Sequence, residues 1–179
     1  MITGRLSKNP PQKVLLSKQR ILIIIASVTL IGMVGYLLNS KLVITTTKSL
    51  RYQVFLKADG PFKLGDYVLV DGGIFGGREI ALLKQHGIDS IPYIAKKIGC
   101  IEGFLLTVDS NRDYYCGTEY LGRAKEKTRK GVPLKPFIWN GTVPPGKVFL
   151  IGDNPDSFDS RYIGFVDVKH VMSRLVPLF

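Results

Sequence analysis

The chain is poor in the residues that build metal centres. Its 179 residues include two cysteines, Cys100 and Cys116, and two histidines, His86 and His170. These four fall in no ligand spacing, so no metal and no other cofactor is expected. Acidic residues are scarce as well, 14 against 25 lysines and arginines, for a formal net charge of +11. Such an excess suits nucleic acid or an anionic lipid surface. No zinc-finger or RNA-binding pattern accompanies it, which disfavours nucleic acid and favours a bilayer as partner. The cluster Gly72-Gly73-Ile74-Phe75-Gly76-Gly77 lacks the spacing of a phosphate loop and reads as a flexible loop. Internal repeats and low-complexity tracts are absent, and the length allows one domain of ordinary size plus an anchor.

What is present begins with a basic tail. Residues 1–20 carry Arg5, Lys8, Lys13, Lys18 and Arg20 with no acidic residue and are broken by Pro10-Pro11. They read as a short cytoplasmic tail. Residues 21–38 then contain no charge. Eighteen residues at about 1.5 Å each span about 27 Å, close to the thickness of a bilayer's hydrocarbon layer. A cleaved signal peptide is the alternative, but its apolar region is shorter and ends in small residues. Asn39-Ser40-Lys41-Leu42 offers no clear cleavage site, so a retained transmembrane anchor is expected. Lys41, Lys48, Arg51 and Lys57 flank its far side, so charge alone favours an inside N-terminus only slightly.

Residues 42–179 read as one β-rich domain. Leu42 to Thr47 is β-branched, Gly65 to Asp71 alternates, and Ile91 to Ile98, Phe104 to Asp109 and Tyr114 to Cys116 are further strand candidates, while Val148 to Ile151 is an apolar run. Arg78 to His86 suits a short helix closed by Gly87. Arg123 to Lys135 is basic and turn-rich, and Trp139-Asn140-Gly141 suggests a tight turn. Residues 104–147 read as a variable ribbon or loop insertion. The fold class is mainly β with one N-terminal transmembrane helix.

The densest polar stretch follows Ile151: Gly152-Asp153-Asn154-Pro155-Asp156-Ser157-Phe158-Asp159-Ser160-Arg161-Tyr162-Ile163-Gly164-Phe165-Val166. Taken residue by residue it could be a polar hairpin loop with a surface salt bridge. As a whole it resembles the last box of the bacterial type I signal peptidases, roughly G-D-N-x(n)-S-x-D-S-R-x-x-G-x-V. Two upstream strings fit the same family. Gly65-Asp66-Tyr67-Val68-Leu69-Val70 resembles its G-D-x-V-x-V strand. Lys96-Lys97-Ile98-Gly99-Cys100-Ile101-Glu102-Gly103 is similar to its lysine strand, with Glu102 in place of a proline and Phe104 in place of an acidic residue. The resemblance covers about residues 45 to 167 and implies an all-β signal-peptidase-like catalytic domain.

The resemblance also implies a Ser/Lys dyad, a variant of the serine–base arrangement. A serine hydroxyl is a weak nucleophile until a base takes its proton. A lysine is a base only when neutral, so burial or a nearby cation must depress its pKa below about 10.4. Ser49 lies where the family places the nucleophile and Lys96 where it places the base. Neighbours on a strand face opposite sides, so only one of Lys96 and Lys97 can meet Ser49. Thr47 stands where a hydroxyl can complete an oxyanion hole with the Ser49 N–H. Ser157 matches the serine that orients the lysine. Asp159 and Arg161 match a buried ion pair, and Gly152 and Asp153 shape the same loop. Ala95 is placed to line a shallow substrate pocket for small side chains.

The housekeeping enzymes have Met and, further on, Pro after the serine, whereas this chain has Leu50-Arg51. Together with Pro144-Pro145-Gly146 and Asp159-Ser160-Arg161-Tyr162, this is similar to the conjugative-transfer, TraF-type branch. That branch implies a membrane-anchored serine endopeptidase that cleaves leaders of exported preproteins, here prepilins or pilus-assembly precursors. It implies a single-pass protein of the bacterial inner membrane with a periplasmic catalytic domain. Other conjugative pilus-assembly proteins are candidate partners. A housekeeping signal peptidase, a non-catalytic assembly factor of the secretion channel and a basic membrane-tethered protein are the alternatives. Outside the cytoplasm, Cys100 and Cys116 could form a disulfide; otherwise they are two small buried apolar residues.

Overall fold

In a computed structural model, the structure describes residues 17–85 and 90–179. Most of the basic tail, together with His86 and Gly87, lies outside them. The first element is helix α1, Lys18–Lys41. Its described apolar side chains, such as Leu22, Ile31 and Met33, are exposed. A helix apolar all round is stable only when something apolar surrounds it. By length and composition Lys18–Tyr36 can cross a membrane. The helix and the domain beginning at Lys41 are separate compact units.

The domain is built on two antiparallel sheets. The first contains β1 (Leu42–Ile44), β2 (Val54–Ala58), β3 (Tyr67–Asp71), β4 (Tyr93–Ile101), β9 (Lys147–Ile151), β10 (Val166–Asp167) and β11 (Val171–Pro177), in the order β1-β2-β11-β3-β4-β9-β10. The second contains β5 (Leu105–Val108), β6 (Asp113–Cys116), β7 (Glu119–Arg123) and β8 (Gly141–Thr142), in the order β7-β6-β5-β8. Helices α2 (Gly77–Gln85) and α3 (Ser160–Ile163) are short. The domain is thus mainly β.

The nine-residue β4 is central, pairing with β3 on one side and β9 on the other. The period-2 alternation of β3 sends its residues to two places. Val68 and Val70 join a cluster with Ile98, Val148 and Leu150, while Leu69 joins Leu50, Phe55, Ala95 and Leu175. Burying each such side chain stabilises the fold by about 1.5–3 kcal/mol. A bulge between Ile98 and Cys100 inserts one residue against Leu150 and Phe149. One extra residue reverses the facing of everything beyond it. Cys100 therefore joins Leu106, Tyr114 and Phe149 in a third cluster shared by the two sheets, while Ile101 packs with the Val148 side. Cys100 and Cys116 are joined by a disulfide, which ties β4 to β6.

Several expectations change in the folded chain. The strand expected from Leu42 to Thr47 stops at Ile44. Thr45 N–H donates to the Gln53 carbonyl (2.9 Å), closing a loop that carries Ser49. The glycine cluster is an ordered turn over Gly72–Ile74 rather than a flexible loop. The Asp71 carboxylate caps it by accepting from Gly73 N–H, and Gly72 is buried with its N–H on the Pro92 carbonyl (2.8 Å). Asn140 makes no tight turn with its neighbours. Its Oδ1 accepts from Val108 N–H (2.7 Å), and Gly141 opens β8. The insertion is the second sheet plus a turn-rich segment bridged between Lys127 and Pro133. Strands β2, β7, β8, β10 and β11 have no counterpart in the expected set, and β9 forms on the apolar run at 148–151.

Candidate active site

Three segments distant in sequence converge on one groove. The Ser49 loop lies between β1 and β2, Lys96 is in the middle of β4, and Ser157 is in the loop between β9 and α3. All three residues line a groove of about 900 Å³, with Ala95, Leu69 and Phe75 in its wall. The Ser157 loop grips the Ser49 loop through backbone and side chain. Asn154 N–H donates to the Ser49 carbonyl (3.1 Å), and Asn154 Nδ2 donates to the Lys48 carbonyl (2.8 Å). Asp153 Oδ2 accepts from Arg51 N–H and from the Tyr67 hydroxyl, each at 2.9 Å. Burial and that carboxylate both push the Tyr67 hydroxyl pKa upward, so it stays a donor.

Lys96 is 5% exposed. It sits across from Val68, with Ile94 and Ile98 two residues away along its own strand. Its Nζ donates to Ser157 Oγ at 2.6 Å. Burial depresses the Lys96 pKa below that of an ordinary lysine; the Asp159 charge opposes this and the Arg161 charge adds to it. Lys97, on the opposite side of the strand, is half-buried and does not line the groove. Ser49 Oγ lies 3.4 Å from Thr47 Oγ1. Ser49 and Lys96 are not hydrogen-bonded to each other. Catalytic contacts often tighten only when substrate fills the site.

Beneath Ser157 lies a buried ion pair. Arg161 Nε donates to Asp159 Oδ1 (2.9 Å) and its second terminal nitrogen to Oδ2 (2.7 Å), with each residue 1% exposed. The same nitrogen reaches the Ser157 carbonyl at 3.4 Å, and Asp159 Oδ2 accepts from Gly152 N–H at 2.8 Å. Arg161 also spans to the second sheet, donating from its other terminal nitrogen to the Arg123 carbonyl (3.0 Å). Gly122 leaves room for it: a Cβ there would sit 3.0 Å from that nitrogen, and its φ of +104° disfavours other residues. Asp156 pairs with Lys125 and Arg129 at the groove's edge.

The sequence-expected residues Thr47, Ser49, Ala95, Lys96, Asp153, Ser157, Asp159 and Arg161 all belong to this groove or its supports. The reading missed the work of Asn154, Tyr67 and Gly122. Asn154 was visible within the polar box, but its two carbonyl partners lie over a hundred residues away. Gly122 carried no local signal.

The chain matches the family model described as signal peptidase, peptidase S26, over residues 19–179. No curated protein matches it. Among solved structures it is similar to a signal peptidase I from Enterococcus faecalis V583, with 20% identity, 66% of this chain and 100% of that chain covered, and a TM-score of 0.43. The family match extends beyond the expected 45–167 in both directions, taking in most of the apolar helix and strand β11. The chain therefore belongs to the signal peptidase S26 family, serine peptidases that remove leader peptides from exported preproteins.

Proposed function

We propose that Ser49 is the nucleophile and Lys96 the general base of this membrane-anchored peptidase. The observation that carries the reading is the buried Lys96 amine, its pKa depressed, donating to Ser157 Oγ in the groove that Ser49 lines. A neutral amine that donates to Ser157 keeps its lone pair for another partner. When a leader peptide occupies the groove, Ser49 Oγ attacks the scissile carbonyl and Lys96 takes its proton. The Ser49 N–H and the Thr47 hydroxyl receive the developing oxyanion. Lys96 then returns the proton to the leaving amine, and water, activated by the same amine, releases the acyl-enzyme. Ala95 lines the pocket for the residue before the cut, so a small side chain is preferred there.

Leu50 and Arg51, which set the conjugative-transfer branch apart, are built into the site's support: Leu50 packs with Phe55 and Leu69, and Arg51 N–H binds Asp153. The likeness of Leu50-Arg51, Pro144-Pro145-Gly146 and Asp159-Ser160-Arg161-Tyr162 to that branch is what supports a prepilin or pilus-assembly precursor as substrate. The helix 18–41 is the anchor, with the tail in the cytoplasm and the β-domain in the periplasm. Protease added to intact spheroplasts is expected to digest the β-domain.

The deciding experiment follows processing of a leader-bearing substrate. Ser49→Ala and Lys96→Ala are expected to be inactive, Lys97→Ala to retain activity, and the wild-type rate to rise with pH through an apparent pKa below the ordinary lysine value. Activity in Lys96→Ala with loss in Lys97→Ala would overturn the assignment. Substrates with Phe instead of Ala before the cut should not be processed.

A further inference from the structure

We infer that the groove selects substrates carrying acidic side chains close to the cut. This rests on the peptidase reading above and adds a determinant that the Ser/Lys pair does not require. Besides Lys96, the described residues lining the groove include Lys48, Lys57, Lys125, Lys127 and Arg129, against a single carboxylate, Asp156. Asp156 already bridges Lys125 and Arg129. Lys48, Lys57 and Lys127 are exposed and make no salt bridge among the described residues. The cations come from two separate parts of the chain, Lys48 and Lys57 from the Ser49 loop and β2, the others from the turn-rich segment after β7.

Like charges gathered around one groove repel, and an anionic ligand relieves that repulsion. Low-dielectric walls strengthen the effect over what it would be on a flat face. The walls here include Leu69, Phe75, Ala95 and Phe158. A bilayer presents a flat surface, whereas these charges line the recess that an extended peptide must enter to reach Ser49. An acidic peptide is therefore the occupant that the shape favours over anionic lipid.

The test uses the full chain in non-ionic detergent micelles. One set of peptides carries paired Asp, Asn or Lys on the leader side of the cut, and a second set carries them on the mature side. In at least one set kcat/KM should fall in the order Asp, Asn, Lys, with about tenfold between Asp and Lys at low salt. That ratio should shrink towards unity in about 0.5 M salt, where the Debye length is only a few Å. The double variant Lys57→Glu with Lys127→Glu should lose or reverse the order. Equal kcat/KM across both sets, or an order unchanged by the double variant, overturns the proposal. So does loss of binding to phosphatidylglycerol vesicles by the double variant with peptide preference intact, which would assign these lysines to the bilayer. Fluorescent versions of the same peptides are also titrated onto Ser49→Ala. If wild type cleaves nothing but binding keeps the charge order, the peptidase reading fails and the charge selection stands.

Discussion

Gly152→Ala is the sharpest probe of how this site is held. A Cβ at position 152 would lie 2.1 Å from Ser157 Oγ, 2.4 Å from Ser157 Cβ and 2.7 Å from the Ser49 carbonyl oxygen. Comfortable contacts are about 3.5 Å or longer, so Ser157 must retreat by roughly 1 Å or more and the Ser49 loop by somewhat less. Ser157 holds Lys96 at 2.6 Å, and the loop that retreats carries the proposed nucleophile. A displacement of about 1 Å in a catalytic group costs about a hundredfold in rate. Overpacking costs about 1–3 kcal/mol of stability. A fall of at least about a hundredfold in kcat/KM is therefore expected, with a drop in Tm of roughly 2–4 °C for each kcal/mol lost. Gly103→Ala is the control: its φ is +81°, and a Cβ there meets nothing within 4 Å. It should lose about 1 kcal/mol through backbone strain with kcat/KM unchanged. A folded Gly152→Ala enzyme within fivefold of wild type would refute the idea that close approach of the two serine loops sets the geometry.

Three further outcomes follow from the buried polar groups and the disulfide. Lys96 has a depressed pKa in the folded state, so between that value and its ordinary one the unfolded chain binds more protons and stability rises with pH. Lys96→Met should be inactive yet more stable at neutral pH, by about 1.4 kcal/mol for each unit of depression less the lost Ser157 bond, and the gain should fade towards pH 10 in denaturant titrations. Asp159→Asn leaves Arg161 buried without its countercharge and should cost about 3–5 kcal/mol, and activity should fall even under conditions where circular dichroism shows the fold retained. The Cys100–Cys116 bond closes a span of 16 residues, and Cys100→Ala with Cys116→Ala should lose about 3 kcal/mol. Thiol alkylation of the denatured, unreduced wild type should label neither cysteine, and labelling of both would show the bond absent.

The sequence alone determined the elements whose signal is local. An uncharged run as long as 21–38 needs no partner segment to become a helix once an apolar phase surrounds it, because its hydrogen bonds close within itself. The alternation at Tyr67–Asp71 likewise specifies a strand by its own pattern. Ser157-Phe158-Asp159-Ser160-Arg161 was legible as a site through its resemblance to the last box of the signal peptidases, since residue by residue it could equally be a polar loop. Only the tertiary structure decided the rest. Strand β11 takes its place between β2 and β3 although its sequence, Val171–Pro177, alternates poorly, because its partners lie about a hundred residues earlier and pairing across the sheet outweighs local propensity. The bulge after Ile98 redirects Cys100, a reversal that no period-2 reading of β4 can show. Lys96 acquires its depressed pKa from burial between strands and from Arg161, 65 positions on, not from anything beside it in the chain. Gly122 is an ordinary glycine of β7 until folding brings Arg161 against it, and Asp153, legible within the polar box, acquires its partners Arg51 and Tyr67 only on folding. Such contacts depend on distances between segments, and a linear order of residues fixes those only through the packed core.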